Sequence, residues 1–313
     1  MRVLSLFDGI CCGHLALERA GSKIDSYDAY EIEKSAIKAT QANFPDVVHH
    51  GDVTKEDFTK YKGKVDIIIG GFPCMDVSMA GKGAGLKGAR SGLFYEFLRA
   101  MEECQPKYFL VENVVMKKEW ENIITSCLGV EPIEINSSLV SAQNRRRLYW
   151  TNIPNVILPK DKNITLADIL EDIEFPNPAA IRGRRLNKAT IVGRRLDKNG
   201  HRQDYDKNIP ITQCLEVRAT NTNKSNCLTT VDKDNVLTPL PVGRYPDAFK
   251  NNLPFRYYTT KEMCRLQTVP DDFLNMIPDS AARKALGNGW TVDVIAHIFS
   301  FLPNEYKISE VDA

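Results

Sequence analysis

Up to about residue 150 the hydrophobic positions keep two alternating rhythms. Short, nearly unbroken apolar runs ("VLSLFD", "IDSYDAYEI", "VVHHGDV", "VDIIIGG", "KYFLVENV") are separated by stretches with apolar residues three and four apart ("HLALERAG", "EKSAIKATQANF", "LFYEFLRAMEECQ", "KKEWENIITSCLG"). The runs fit buried strands and the stretches fit amphipathic helices. Gly21, Pro45 and Pro106 stand where three of those helices should stop. Strands alternating with helices predict right-handed βαβ units and a largely parallel sheet covered on both faces, an α/β fold. "VEPIEINSSLVS" and "RRRLYWTNI" have no helix between them and predict an antiparallel element that closes the sheet.

From about 155 to 255 helical periodicity fades into polar, turn-rich sequence, and a second, smaller domain is expected there. "GRRLNK" at 183–188 recurs as "GRRLDK" at 193–198, followed by the turn signal Asn199-Gly200. This near-repeat reads either as a solvated hairpin or as a pair of phosphate-contacting strands. "SAARKALGNGWTVDVIAHIFSFL" returns to a helix with an apolar stripe (Val292, Ile295, Ile298, Phe299), as if the chain rejoins the first domain.

The 313 residues can bury a full core, and a net charge of +1 announces neither a nucleic-acid nor a membrane partner, so any basic surface must be local. No run approaches the roughly 18 apolar residues of a membrane span. The opening "MRVLSLFDGI" enters a strand pattern directly, so the chain is expected to stay where it is made, in the cytoplasm. Eight cysteines are scattered with no C-x-x-C pair and no clustered histidines, which argues against a metal site and against a disulfide framework. Most should be reduced, buried small hydrophobes.

One cysteine has an unusual setting. Cys74 follows "VDIIIGGFP", just past the carboxyl end of a strand, where open parallel sheets bind ligands. Pro73 restrains the backbone before it, and a glycine-rich loop with Lys82, Lys87 and Arg90 follows, read as a basic flap available for phosphates. Gly83, Gly85 and Gly88 satisfy G-x-G-x-x-G, but the nine residues "FPCMDVSMA" intervene after Gly71, so a dinucleotide fingerprint is not expected. At the end of the next strand Glu112, in "LVENV", is an acid that burial would penalise unless partnered or useful. "SAQNRRRLYW" places Arg145 and Arg147 on one strand face and Arg146 on the other. A thiol, an acid and paired arginines suit attack on an electron-poor ring, the acid holding a ring nitrogen and an arginine an exocyclic oxygen.

"SLFDGICCGHLALERAG", "GGFPCMDVSMAGKG", "LVENV", "QNRRRLYW" and "LGNGWTVDVI" stand in the order seen in cytosine-C5 DNA methyltransferases. The chain resembles that family over nearly its whole length, least between about 155 and 215. It looks like a compact prokaryotic or phage enzyme, with "SLFDGI" and "VSAQNRRRLYW" similar to the de novo-type branch. The resemblance implies a Rossmann-like S-adenosylmethionine-dependent methyltransferase sheet with a smaller target-recognition domain. The expected division is 1–155 with 275–313 as catalytic and cofactor-binding domain, and 156–274 as target-recognition domain.

By the same resemblance Phe7, Asp8, Gly9 and Ile10 would line the S-adenosylmethionine pocket, with S-adenosylhomocysteine as product. Glu31 would bind the ribose, Ile32 would lie against the adenine, Asp52 and Val53 would flank it, and Asn288 and Trp290 would close the pocket. Cys74 would add to C6 of a flipped cytosine, Glu112 would bond N3 and the exocyclic amine, and Arg147 would hold O2 with Arg145 in support. Ser78, Lys82, Lys87, Arg90, Arg184, Arg185, Arg194, Arg195 and Lys224 would contact double-stranded DNA.

The chain departs from the family at Cys11-Cys12, where a glycine pair is usual, at Met75, and at Lys224 or Arg218, one of which stands in for an expected arginine. A transfer-RNA methyltransferase would carry a Cys-Phe-Thr signature, which the chain lacks, and a silent homologue would not need Cys74, Glu112, Arg145 and Arg147 together. A monomer without a membrane partner is expected, with a cognate restriction endonuclease as a candidate partner.

Overall fold

The computed structural model describes residues 1–73, 92–173, 186–218 and 223–308. Cys74, Ser78, Lys82, Lys87 and Arg90, together with Arg184 and Arg185, lie outside the described residues.

The first half builds the expected alternation. Strands β1 (Arg2–Leu6), β2 (Ser26–Tyr30), β3 (Val48–His49), β4 (Ile67–Gly70) and β5 (Tyr108–Val114) are joined through helices α1 (Cys12–Arg19), α2 (Lys34–Asn43) and α3 (Leu93–Cys104). Helix α4 (Lys118–Leu128) leads to β6 (Ile133–Asn136) and β7 (Arg146–Thr151). The sheet order is β3-β2-β1-β4-β5-β7-β6. β1 to β5 run parallel, whereas β7 runs antiparallel to both β5 and β6, the closing element that a missing helix predicts.

Alternate residues of each strand point to opposite faces, and each face has its own cover. Ile67, Ile69, Leu110 and Tyr149 pack with α1, α2 and the C-terminal helix, while Leu4, Leu6, Ile68, Val111 and Trp150 pack with Phe94 and Phe97 of α3 and Trp120 and Ile124 of α4. Helix ends follow local chemistry. Gly129, at φ 72°, takes the left-handed conformation that ends α4, and Pro45 follows the last residue of α2 by two.

The second sheet is antiparallel, in the order β11-β9-β8-β10-β12. Its strands are β8 (Asn187–Arg195), β9 (Ile211–Val217), β10 (Val236–Thr238), β11 (Gly243–Tyr245) and β12 (Arg256–Tyr257), and the short helix α5 (Leu166–Ile169) precedes them. The copy "GRRLDK" ends β8 and enters the turn of a long hairpin, with Asp197 accepting from the Asn199 and His201 amides. Ala189, Ile191, Leu215, Val217 and Val236 form a small core of their own.

Helices α6 (Thr260–Leu266), α7 (Asp279–Asn288) and α8 (Val292–Phe299) complete the fold. Tyr258, Met263, Cys264, Leu266, Phe273 and Ile277 belong to the same core as Val292, Ile295 and Ile298, so the chain is back on the first sheet from residue 258. The single helix read from "SAARKALGNGWTVDVIAHIFSFL" is two helices, broken at Gly289-Trp290-Thr291. Among the described residues no helix is long and apolar enough to cross a membrane, and no cluster of three or more His, Cys, Asp or Glu could hold a metal ion.

Candidate functional site

The strand order reverses between β1 and β4. Neighbouring carboxyl ends diverge at such a point and leave a crevice, where open α/β sheets bind ligands. The two strand ends flanking it are Leu6-Phe7-Asp8-Gly9 and Gly70-Gly71-Phe72-Pro73.

The β4 side is fixed from β5. Asn113 Nδ2 donates to the Phe72 carbonyl at 3.0 Å, and its Oδ1 accepts from the Val114 amide. The peptide two residues before Cys74 is therefore held by a buried side chain. Beside it Glu112 presents two differently held oxygens. Arg147 Nε lies 3.0 Å from Oε1, and Trp290 Nε1 donates to Oε2 at 3.0 Å. Glu112 is opposite Tyr149 across the β5–β7 ladder, so Arg147 is its diagonal neighbour on the same face. Both side chains of this pair are largely buried. Burial pulls the Arg147 pKa down, but Glu112 and Cys227 more than offset this and hold it above the usual arginine value.

Gly71 makes this arrangement possible. A Cβ there would stand 2.9 Å from both Glu112 Oε2 and Trp290 Nε1. Only a residue without a side chain lets the indole reach the acid past the end of β4.

Arg145 lies behind the pair rather than in it. Its guanidinium is buried and donates to the carbonyls of Leu228 (3.0 Å), Gly289 (2.7 Å) and Gly287 (3.2 Å). Burial first, then the Arg147 charge, lowers its pKa. The Cys227 thiol accepts from both arginines, at 3.4 Å from Arg145 and 3.8 Å from Arg147. Arg146, on the opposite face, pairs with exposed Glu134. A buried amide network adds to the anchoring: Gln143 donates to Leu266 and Gln267, Gln267 donates to Leu286 and Gly289, and Thr291 donates to Gln267.

On the β1 side, Phe7, Gly9 and Cys11 all adopt positive φ, between 59° and 62°. The tight turn exposes the Gly9 amide, which donates to Glu31 Oε2 at 2.8 Å, while Glu31 Oε1 accepts from the Ile32 and Glu33 amides. Asp8 Oδ1 accepts from Ser5 and Tyr27, and Oδ2 is buried without a partner among the described residues. Burial above all, with the Glu31 charge adding to it, pushes this carboxyl up to about 6. Ile10 is buried, and Ile32 is 72% exposed at the rim. Asp52 caps a short turn through the Thr54 amide, and the Val53 side chain is buried in the core. Asn288 is exposed at the end of α7, two residues before Trp290.

The residues expected at DNA are placed differently from one another. Lys224 is not a free cation: its ammonium donates to the carbonyls of Ser138 (2.7 Å), Ser141 (3.1 Å) and Ile164, tying its loop to the first sheet. Arg195 donates to the Ile209 carbonyl within its own hairpin. Arg194 pairs with Glu216.

The sequence reading missed Asn113, Gln143, Gln267, Cys227 and the Trp290–Glu112 bond. A polar side chain inside an apolar strand run could have flagged Asn113. Gln267 sits in a segment with no distinguishing pattern, and Cys227 in "NKSNCLTT", where only Lys224 is singled out.

A family model described as C-5 cytosine-specific DNA methylase matches residues 1–126 and 137–303. The type II methyltransferase M1.ScrFI of Lactococcus lactis subsp. cremoris is 32% identical, covering 94% of this chain and 76% of that protein. The type II methyltransferase M.Eco47II of Escherichia coli is 31% identical, covering 93% and 76%. The solved structure of the Entamoeba histolytica methyltransferase EhMeth superposes with a TM-score of 0.69 at 16% identity over 98% of this chain and 99% of that one, a likeness of fold. With the matched segments spanning both the crevice and the arginine–acid pair, the chain belongs to the C-5 cytosine-specific DNA methylase family and is a DNA cytosine-5 methyltransferase.

Proposed function

We propose that this enzyme moves a methyl group from S-adenosylmethionine to C5 of a cytosine flipped out of a specific duplex sequence, through a transient bond between Cys74 and C6. The observation that carries the reading is Glu112, whose oxygens are set by Arg147 and Trp290 beside the strand end that leads into Cys74.

The β1 crevice fits the cofactor. The Gly9 α-carbon faces open space where a side chain would sit, and the Glu31 carboxylate keeps lone pairs for a ribose diol. Phe7, Asp8, Gly9, Ile10, Glu31, Ile32, Asp52, Val53, Asn288 and Trp290 would hold it, Val53 through its main chain because its side chain is in the core. Trp290 would serve both pockets, since its indole N–H is on the acid. When bound, S-adenosylmethionine supplies a methyl group on a positively charged sulfur, ready for transfer to carbon.

The protein's part is to make C5 a nucleophile. The Cys74 thiolate adds to C6, and the electron pair displaced from the C5–C6 bond becomes available at C5. Glu112 accepts from the exocyclic amine and shares a proton with N3, which stabilises the electron-rich adduct, while Arg147 turns from Glu112 towards O2. Arg145, fixed on three carbonyls, keeps Arg147 and the Leu228 and Gly289 segments in register. After transfer a base or water takes the C5 proton, the C6–S bond breaks, and its electrons return to sulfur. Flipping costs a few kcal/mol, which contacts of Ser78, Lys82, Lys87 and Arg90 with the DNA would offset.

Residues 1–155 with the C-terminal segment are read as the catalytic unit. Residues 156–274 would hold the target-recognition unit, built around the second sheet; packing of Tyr258 onward on the first core supports giving 258–274 to the catalytic unit instead. Arg184 and Arg185 would add to its DNA surface. The enzyme would act as a monomer in the cytoplasm, beside the host DNA, with a cognate restriction endonuclease as partner; the relatives named as type II methyltransferases support that pairing.

The test is transfer of a labelled methyl group from S-adenosylmethionine to unmethylated duplex DNA, with transfer RNA and a Cys74→Ala variant in parallel. Label in 5-methylcytosine from DNA, lost in the variant, is expected. Label in RNA alone overturns the substrate, and label retained by Cys74→Ala overturns the nucleophile.

A further inference from the structure

The second sheet carries a feature outside this chemistry. Along β9, Leu215 and Val217 face the small core, and Glu216 faces the other way. That carboxylate is buried, yet three guanidiniums converge on it. Arg194 of β8 donates to both oxygens (Nε 2.9 Å, Nη2 3.3 Å), Arg218 reaches Oε2 at 2.9 Å, and Arg244 of β11 reaches Oε1 through Nε at 3.2 Å. Burial would raise the Glu216 pKa, but Arg194 and Arg218 hold it at about 2, so it stays charged at any working pH.

The balance is not neutral. Arg202 and Asp204 join the group, Asp204 lying 3.8 Å from Arg194 and paired with Arg202. Among the described residues, four guanidiniums thus lie with two carboxylates across this sheet face and the hairpin loop beside it. One carboxylate would satisfy one arginine, so the surplus is not needed for folding, and Arg218 keeps 74% of its side chain exposed.

This face is also linked to the catalytic acid. Glu216 is directly opposite Thr190 in the β8–β9 ladder. Thr190 Oγ1 donates to the Asp234 carbonyl, and Asn235, the next residue, donates through Nδ2 to the Cys227 carbonyl. Cys227 touches Arg147, the partner of Glu112.

We propose that Glu216 positions Arg194, Arg218 and Arg244 as a clamp for phosphates of the duplex beside the cytosine being modified. The proposal rests on the DNA methyltransferase reading and names a surface for its substrate. Glu216 fixes where the forks point, and Arg218 and Arg244 neutralise backbone charge, which holds the duplex in register without reading its sequence.

The test is fluorescence anisotropy of a labelled, mixed-sequence duplex with the full chain, titrated between about 50 and 200 mM salt, since removing one arginine–phosphate pair lowers the log–log salt slope by about one. Arg244→Ala and Arg218→Ala are each expected to lower the slope by about one and to weaken binding about tenfold at the lower salt. Glu216→Gln should lower the slope although it removes a negative charge, a result that simple electrostatics does not give; melting curves confirm that each variant is folded. Unchanged slopes in folded Arg244→Ala and Arg218→Ala overturn the clamp. So does an unchanged slope with altered sequence preference, which would make them base readers. Methyl transfer to DNA by the parent enzyme keeps the functional reading whatever the slopes do. Slopes that fall in an enzyme unable to methylate DNA leave the clamp standing and remove that reading, and a parent that binds no duplex overturns both.

Discussion

Trp290 and Glu112, 178 residues apart in the chain, meet through a 3.0 Å hydrogen bond from the indole N–H to a carboxylate oxygen. The other oxygen faces Arg147, so both oxygens of the acid are oriented; in the proposed reaction it would act from that position. Trp290→Phe keeps the ring and removes the donor. A hydrogen bond to a charged group contributes about 1.5–3 kcal/mol, so kcat should fall at least about tenfold while the melting temperature hardly moves. Steady-state kinetics checks this; an unchanged kcat would mean the indole serves packing alone.

Gly71 stands between these two groups. The Gly71→Ala methyl would sit 2.9 Å from each, and one of them must move. Misplacing a reacting group by about 1 Å can cost about 100-fold in rate, whereas overpacking of this kind costs about 1–3 kcal/mol of stability. Activity is therefore predicted to collapse in a protein that still folds. Near-normal turnover in Gly71→Ala would show that the bond is dispensable.

The strand rhythm made the first sheet legible, and even its antiparallel closure followed from "RRRLYW" standing with no helix before it. The pairing of Glu112 with Arg147 was also within reach, because each is a charged residue at the edge of an apolar strand run. What could not be read depends on contacts distant in sequence. Nothing in "RLQTVP" says that Gln267 would bond the carbonyl of Gly289, and nothing in "NKSNCLTT" places Cys227 between two arginines. Lys224 is expected at DNA through the family resemblance, but three carbonyls converge on it. The one-helix reading of the C-terminal segment failed because apolar spacing continues across Gly289, while the break there is set by Trp290 and Thr291 turning inward.

Asp8 gives the crevice beside β1 a pH signature. Its carboxyl is raised from 3.8 to about 6, mainly by burial, so the folded state binds this proton more tightly than the unfolded one. The stabilisation is complete below 3.8 and is lost as pH rises through about 6. A tenfold difference in proton affinity is worth about 1.4 kcal/mol, so without cofactor Asp8→Asn should gain about 2–3 kcal/mol over the parent near pH 8 and nothing near pH 4. His14, lowered to about 4 by burial, gives the opposite slope over an overlapping range, and comparison of variant with parent cancels it. Denaturant unfolding at the two pH values decides; an equal gain at both would contradict the assignment.

The thiols should divide sharply in reactivity. Burial lifts Cys12, Cys104 and Cys264 to about 12 and Cys11 well above its usual value. Thiolate is the reacting form, so these four are predicted to stay unmodified by iodoacetamide in the native protein while exposed Cys127 and partly exposed Cys227 react. Peptide mass mapping before and after denaturation tests this. Native labelling of Cys12 would place the β1 turn in a more open arrangement than the one described.

The central claim is that Cys74 attacks C6 with Glu112 holding the ring. A duplex with 5-fluorocytosine at the target tests it most directly, because fluorine at C5 leaves no proton to remove and the methylated adduct cannot resolve. With S-adenosylmethionine present, the account predicts a stable protein–DNA species whose bond maps to the Cys74 peptide, absent in Cys74→Ser and formed at least about 100-fold more slowly in Glu112→Gln. A bond mapped to Cys227, or none on a duplex that the enzyme methylates when unfluorinated, would contradict it.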